Sequence, residues 1–207
     1  MGEFSIDDKT MRLNGGNPDA ASNEWFWSEI KTVQDAGVKQ SMWLRQVYEF
    51  LKDNNGTFDT YYALVNKTIT DHSFDGIDLD IEDGQSSCGD DSMNLDDTVH
   101  LIRRLRADFG PGFIITLAPV SNALLGEGSK GVKAPNYYER CINEGGWRPE
   151  RIVATITTSS DFAYPLPRSS WVGLNETGPT IDTLAEKYAD FGGVGGFDYY
   201  DAEPAWL

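Results

Sequence analysis

The sequence predicts an α/β protein whose parallel β-sheet is buried on both faces. Short apolar stretches rich in β-branched residues alternate along the chain with stretches of helical periodicity. Parallel strands need a crossover helix between them, and strands covered on both faces are almost continuously apolar. The 207 residues permit one sizeable core, so we expect a single domain over residues 1–207.

The individual elements follow from periodicity and from the residues that end helices. Gly37 and the pair Gly192-Gly193 follow predicted helices, as expected for a residue that readily adopts the left-handed conformation. Apolar side chains three or four apart between Leu95 and Phe109 predict an amphipathic helix. The predicted helices are 23–36, 59–70, 95–109, 136–143 and 180–191. The predicted strands are 38–44, 74–82, 113–120, 152–158 and 194–200, with a sixth candidate at 4–13.

This number of strands is too small for a closed (β/α)8 barrel, which takes about 250 residues. Only one helix-like stretch lies between Val120 and Ile152, where a complete barrel would place a helix, a strand and a second helix. The pattern therefore predicts a barrel that is incomplete.

Composition excludes some classes of function. The net charge of −16 and the pI near 4.3 argue against a nucleic-acid partner, because phosphate binding needs clustered Lys and Arg. No apolar run is long enough for a membrane helix, and the N-terminus has no visible signal peptide. His72 and His100 lack metal-ligand spacing, so we expect neither metal nor cofactor. Cys88 and Cys141 could pair, but spacing alone does not decide this.

One segment carries the chemistry, with three carboxylates alternating with three aliphatic side chains: Asp75-Gly76-Ile77-Asp78-Leu79-Asp80-Ile81-Glu82. Successive side chains of a strand point to opposite faces. The carboxylates at 78, 80 and 82 therefore share one face, and the aliphatic side chains at 77, 79 and 81 share the face that packs on helices.

Clustered carboxylates repel one another, so some of them are expected to hold protons. Glu82 is at the C-terminal end of its strand, where barrel active sites lie. A carboxyl group kept protonated by neighbouring carboxylates is suited to general acid catalysis near neutral pH. The segment therefore predicts a catalytic strand.

Two other interpretations stay open at this point. An acidic strand could face solvent, although the interleaved aliphatic residues disfavour an exposed strand. A calcium loop would also use carboxylates at 78, 80 and 82, but its turn glycine would be at 83 and its last ligand at 89. The chain has Gly84 and Gly89 instead.

The eight-residue segment resembles the Asp-x-x-Asp-x-Asp-x-Glu signature of glycoside hydrolase family 18, the chitinases and endo-β-N-acetylglucosaminidases, and is closest to fungal members. The resemblance extends to these further stretches: Leu13-Asn14, Ala36-Gly37-Val38-Lys39, Ile115-Thr116-Leu117-Ala118-Pro119 and Gly192-Gly193-Val194-Gly195-Gly196-Phe197-Asp198-Tyr199. It implies a (β/α)8 barrel and substrate-assisted, retaining hydrolysis of β-1,4-linked N-acetylglucosamine in chitin or chito-oligosaccharides. It also implies a monomer without a cofactor, outside the cell and away from membranes.

The resemblance implies roles for individual residues. Glu82 would protonate the leaving glycosidic oxygen and then act as a base toward water. Asp80 would hold the N-acetyl group of the substrate, and Asp78 would buffer the charge of Asp80 from deeper in the barrel. Asp75 and Gly76 would have structural roles at the start of the strand.

On the last strand, Phe197 and Tyr199 would contact substrate. Phe197 stands where the family usually carries a tryptophan under the central sugar, so it would stack over a smaller area.

The chain departs from the family at three other places. The third strand usually ends in a Ser-x-Gly-Gly-like motif, but Ser41-Met42-Trp43-Leu44-Arg45 lacks those glycines. The tract for the sixth strand, with its catalytic tyrosine, is expected to be absent. The first strand is also expected to be absent, because 4–13 resembles the second. A catalytically impaired, chitin-binding lectin-like protein and a non-functional truncated product are therefore the alternatives to an active chitinase.

Overall fold

The computed structural model describes residues 2–7, 9–45, 48–52, 56–81, 95–118, 137–158 and 174–197. The chain divides into two compact units, one within residues 2–120 and the other within residues 121–207. A single domain over residues 1–207 stays a prediction.

The first unit is built on a five-stranded sheet. The strands are β1 (Glu3–Asp7), β2 (Thr10–Leu13), β3 (Ser41–Leu44), β4 (Gly76–Leu79) and β5 (Ile114–Leu117). Their order in the sheet is β2-β1-β3-β4-β5; β1, β3, β4 and β5 are parallel, and β2 is antiparallel to β1. The helices are α1 (Glu24–Asp35), α2 (Phe58–Asp71) and α3 (Leu95–Phe109), with short 3-10 turns at Ala21–Asn23 and Tyr48–Leu51.

The second unit contains two parallel strands, which pair with each other. Its elements are α4 (Tyr137–Asn143), a 3-10 turn at Pro149–Arg151, β6 (Ala154–Thr157), α5 (Leu174–Lys187) and β7 (Val194–Phe197). The described residues of the two units together hold six parallel strands, whereas a complete (β/α)8 barrel has eight. We expect a strand to be missing between Val120 and Ile152. Of that stretch, residues 137–151 are described and contain α4 and the 3-10 turn, while 121–136 lie outside the described ranges.

The predicted strand at 4–13 is wrong in one respect, because it is two strands joined in a hairpin. Asp7 pairs with Thr10 in antiparallel register, and Lys9 has a φ of 59°. A positive φ is typical of the tight turn between hairpin strands. Only β1 joins the parallel part of the sheet, through its pairing with β3.

The predicted helix at 180–191 is wrong at both ends, since α5 runs from Leu174 to Lys187. Pro179 lies inside the helix, although proline cannot donate the backbone hydrogen bond of a helix interior. A turn after the helix is closed by the amide of Phe191, which donates to the Tyr188 carbonyl at 3.0 Å. The chain therefore leaves the helix before Gly192-Gly193.

The core of the first unit confirms the predicted aliphatic face of β4. Ile77 and Leu79 are fully buried, as are Met42 and Leu44 of β3. Helix α2 buries one face against them, contributing Phe58, Tyr61, Tyr62, Val65 and Ile69. Ile81 is partly buried against the same cluster. None of the helices in the described ranges has the length and apolar character of a membrane span.

Candidate active site

Strand β4 carries the predicted catalytic carboxylates and lies between β3 and β5 in the sheet. The register places Asp78 opposite Trp43 on one side and Thr116 on the other. These three residues therefore share the face opposite the aliphatic core. The hydroxyl of Thr116 donates a hydrogen bond to Oδ1 of Asp78, which satisfies part of a half-buried carboxylate.

Asp80 follows β4 directly, and its side chain is largely enclosed. Its amide donates to the Leu44 carbonyl at 3.3 Å, which continues the pairing with β3. Its side chain is 11% exposed, and its Oδ2 lies 3.1 Å from Nε of Arg45. An ion pair of this kind offsets the cost of enclosing a carboxylate.

Arg45 also contacts other residues of this face. Its Nη1 lies 3.4 Å from Oε2 of Glu3, and its guanidinium carbon is 5.5 Å from the ring centre of Trp43. The guanidinium thus lies among two carboxylates and an aromatic ring, at the end of β3. This end of the sheet is the carboxyl end of the parallel strands, where barrel enzymes place their catalytic groups.

Asp75 connects three strands at the opposite end of β4. Lys39 donates from Nζ to Oδ1 at 2.7 Å, and the Gln40 amide donates to Oδ2 at 3.0 Å. The Asp75 carbonyl accepts from the Ile114 amide at 3.0 Å. The hydrogen bond from Lys39 lowers the pKa of Asp75. The stability that these contacts contribute is therefore present above the usual carboxyl pKa, near 4, and is lost as the pH falls below it.

Gly76 is at a point where β4 passes very close to both neighbouring strands. A Cβ atom there would lie 2.5 Å from the Ile114 carbonyl oxygen, 2.6 Å from the Ile114 Cβ and 2.6 Å from Oγ of Ser41. The carbonyl oxygen and the Cβ cannot move away without displacing β5. Glycine is thus required by the spacing of the sheet at the start of the catalytic strand.

We expect Gly76→Ala to destabilise the fold by about 1–3 kcal/mol, because the added methyl group overpacks the junction of three strands. Chemical denaturation followed by circular dichroism measures this change. Gly112→Ala is the matched control, since a Cβ at Gly112 meets nothing within 4 Å and should change stability by less than about 0.5 kcal/mol. Equal stability of the two variants would contradict the close approach at Gly76.

The other predicted site residues are placed less fully. Glu82 and Tyr199 lie outside the described residues. Phe197 is the last residue of β7, in the second unit, where it pairs in register with Thr157. Cys141 is buried, and Cys88 lies outside the described ranges, so their pairing stays open. The structure therefore brings Asp78 and Asp80 together on one face and places Asp75 and Gly76 at the start of the same strand.

Three residues of this face were missed by the sequence analysis: Trp43, Arg45 and Thr116. A signal for them exists, because parallel neighbours of β4 present alternate residues to the same face. Trp43 and Arg45 are two residues apart at the end of β3, as Asp78 and Asp80 are on β4. To identify these residues from that alternation, one must know the register of β3 and β5 against β4, and the sequence alone does not supply it.

Comparison with known sequences supports a relationship to chitinases. No protein-family model matches the chain. It is 28% identical over 210 residues to chitinase 2 of Rhizopus oligosporus, a match that covers 86% of this chain and 36% of that protein. It is 29% identical over 116 residues to exochitinase 1 of Streptomyces olivaceoviridis, covering 49% of this chain and 19% of that protein. The chain thus spans about a third or less of the length of these relatives.

Comparison with solved structures supports the fold. A chitinase, ChiC, from Aspergillus fumigatus matches with a TM-score of 0.81 and 27% identity, over 97% of this chain and 80% of that one. A fungal endo-β-N-acetylglucosaminidase of glycosyl hydrolase family 18 matches with a TM-score of 0.82 and 27% identity, over 98% of this chain and 79% of that one. About a fifth of each solved chain therefore has no counterpart here, in agreement with the prediction of an incomplete barrel.

The sequence comparison and the structure comparison thus both find chitinases. In the described residues, parallel strands alternate with helices as they do in (β/α)8 barrels. The acidic strand has the family's pattern, and the described carboxylates lie on the expected face. The chain is therefore similar to the chitinases and endo-β-N-acetylglucosaminidases of glycoside hydrolase family 18.

Proposed function

We propose that the chain is a glycoside hydrolase that cleaves β-1,4-linked N-acetylglucosamine in chitin or chito-oligosaccharides. Two of its sequence relatives are named as chitinases, and the solved neighbours are a chitinase and an endo-β-N-acetylglucosaminidase. We further propose that the reaction is substrate-assisted and retaining, with Glu82 as the general acid and base. Secretion and a monomeric state are proposals that rest on the same likeness.

The observation that carries this proposal is the placement of Asp78 and Asp80 on one face of a central strand. Alternate residues of a strand are about 6.6–7 Å apart, so carboxyl groups on that face are close enough to influence one another. Each of the two has a polar partner, Thr116 for Asp78 and Arg45 for Asp80.

The proposed reaction has two steps. Glu82 gives its proton to the leaving glycosidic oxygen while the carbonyl oxygen of the substrate's own acetamido group attacks the anomeric carbon. The bond to the leaving sugar breaks, and a cyclic oxazolinium intermediate forms. Glu82, now a carboxylate, then accepts a proton from water as the water oxygen attacks the anomeric carbon from the face that the leaving group occupied. The bond between the anomeric carbon and the acetamido oxygen breaks in this step, which restores the acetamido group. Two inversions retain the β configuration.

The aspartates serve the acetamido group in this scheme. Asp80 accepts a hydrogen bond from the acetamide N–H and stabilises the positive charge that develops on the ring. Asp78 lies two residues earlier on the same face and would moderate the charge of Asp80. Phe197 and Tyr199 would provide apolar contacts to the sugar rings, because aromatic rings stack on the C–H faces of sugars.

The purified chain tests this proposal directly. We expect it to release the fluorophore from a fluorogenic chito-oligosaccharide, and to fail on the matching substrate whose reacting sugar lacks the acetyl group, since that sugar has no internal nucleophile. Proton NMR of the first product formed should show the β anomer. Binding of the oligosaccharide without release from a folded sample would favour the lectin-like alternative, and an α-anomeric product would contradict retention.

A further inference from the structure

Arg45 is a cationic side chain on the face of the sheet that carries the proposed catalytic aspartates. Its Nε lies 3.1 Å from Oδ2 of Asp80. We infer that Arg45 is a positioning residue that holds Asp80 for its contact with the substrate's acetamido group. This inference rests on the proposed function and adds a residue to it.

The charges around Arg45 define what it can do. It faces Asp80 from the end of β4 and Glu3 from β1, the latter at 3.4 Å from Nη1. At least two carboxylates of the protein therefore balance its single charge. A guanidinium balanced in this way is not available as a receptor for an anionic sugar, so its effect falls on the protein's own groups.

The contacts fix the guanidinium on several sides. The planar group lies against Trp43, with its carbon 5.5 Å from the ring centre, and stacking of this kind restricts rotation. Glu3 occupies one nitrogen, and Asp80 contacts another. The side chain is 26% exposed. The Arg45 side chain therefore has little conformational entropy left to lose when substrate binds.

Asp80 is constrained from both its backbone and its side chain. Its amide donates to the Leu44 carbonyl of β3, the residue next to Arg45, so the same strand end holds both parts of Asp80. A neighbouring positive charge favours the ionised carboxylate. The ionised form only accepts hydrogen bonds, as a contact to an acetamide N–H requires.

The end of β3 departs from the pattern that the resemblance implies. The resemblance to family 18 leads one to expect glycines where the third strand ends, and glycine has no side chain to reach a carboxylate. Here β3 ends at Leu44 and is followed by Arg45. The substitution changes the face of the site by adding a charged, planar group beside the proposed acetamide acceptor.

Three variants separate positioning from a merely structural role. We expect Arg45→Gln to lower kcat on a fluorogenic chito-oligosaccharide by about tenfold to a hundredfold, the value of one hydrogen bond to a charged group, with KM changed by less than about threefold. Arg45→Lys should recover part of the loss, because it restores the charge without the planar geometry. Arg12→Gln is the matched control, since Arg12 pairs with Asp7 in the hairpin at similar exposure and should leave kcat unchanged.

A second measurement does not depend on turnover. We expect Arg45→Gln to weaken binding of a thiazoline analogue of the cyclised intermediate, measured by calorimetry, by the same factor as kcat/KM. In an Asp80→Asn background, Arg45→Gln should cause little further loss, because a residue that acts through Asp80 has nothing left to position.

The outcomes keep the two proposals apart. If the wild type is active and Arg45→Gln keeps its kcat, or if Arg45→Gly raises kcat, the positioning role is overturned and the proposed function stands. If the wild type binds the thiazoline without turnover, the proposed function fails, and a tenfold weaker affinity of the variant would still support positioning whereas equal affinity would overturn it. A wild type that shows neither activity nor binding overturns both.

Discussion

Replacing Glu82 with glutamine is expected to lower hydrolysis of a chito-oligosaccharide by about 10²–10⁴-fold, the usual contribution of a positioned general acid. Glutamine has nearly the same shape as glutamate but has no acidic proton to give to the leaving oxygen. Binding should change little, because a group that acts mainly in the transition state contributes little to ground-state affinity. Steady-state kinetics and calorimetric binding of an unlabelled oligosaccharide measure the two effects separately.

The leaving group provides a sharper form of the same experiment. An aryl glycoside with a strongly acidic phenol leaves without protonation, so the Glu82→Gln variant should lose much less on that substrate than on the oligosaccharide. Glu29→Gln is the control, because it makes the same chemical change at an exposed carboxylate on α1. A Glu82→Gln variant as active as wild type, or an equal loss on both leaving groups, would remove Glu82 from the role of general acid.

Local periodicity predicted much of the fold. Helix α3 was predicted from apolar spacing alone and has the predicted bounds, 95–109. Alternation in β4 predicted which face would be buried, and Ile77 and Leu79 are fully enclosed. These predictions succeed because a strand or helix with one strongly apolar face has one favourable way to meet the core.

The failures occurred where local signals compete. The hairpin at 3–13 has strand-forming residues on both sides of a short polar stretch, in which Lys9 has a positive φ. Helix α5 begins at Leu174 and includes Pro179, although proline disfavours a helix interior because it lacks a backbone N–H. Propensity predicted the kind of element in both regions but not where it ends.

The candidate site also has a part that the sequence predicted and a part that only the structure gives. The signature predicted that Asp78 and Asp80 share a face. The register places Asp78 beside Trp43 and Thr116, and Asp80 contacts Arg45 at the end of β3. The contact between Arg45 and Asp80 joins residues 35 positions apart along the chain. It depends on how β3 aligns with β4, which is a property of the folded sheet. Sequence could mark Arg45 as a departure from the family, but only the structure gives it a partner.

Replacing Asp80 with asparagine is expected to lower kcat by about 10²–10³-fold, as the loss of one preorganised electrostatic partner does. Asparagine keeps the size of the side chain but loses the charge that would stabilise the oxazolinium, and its amide can present a donor where an acceptor is needed.

Asp75→Asn is the matched comparison for Asp80→Asn. It makes the same chemical change in the same segment, but at a position that strand alternation assigns to the other face. Asp75 contacts Lys39 and Gln40 at the start of the strand, so its variant should lose stability at neutral pH and keep its kcat once folded. Denaturation curves and kinetics on both variants separate the two effects. Similar losses of kcat from Asp75→Asn and Asp80→Asn would mean that the face of the strand does not determine function, because only Asp80 lies with Asp78 on the face opposite the core.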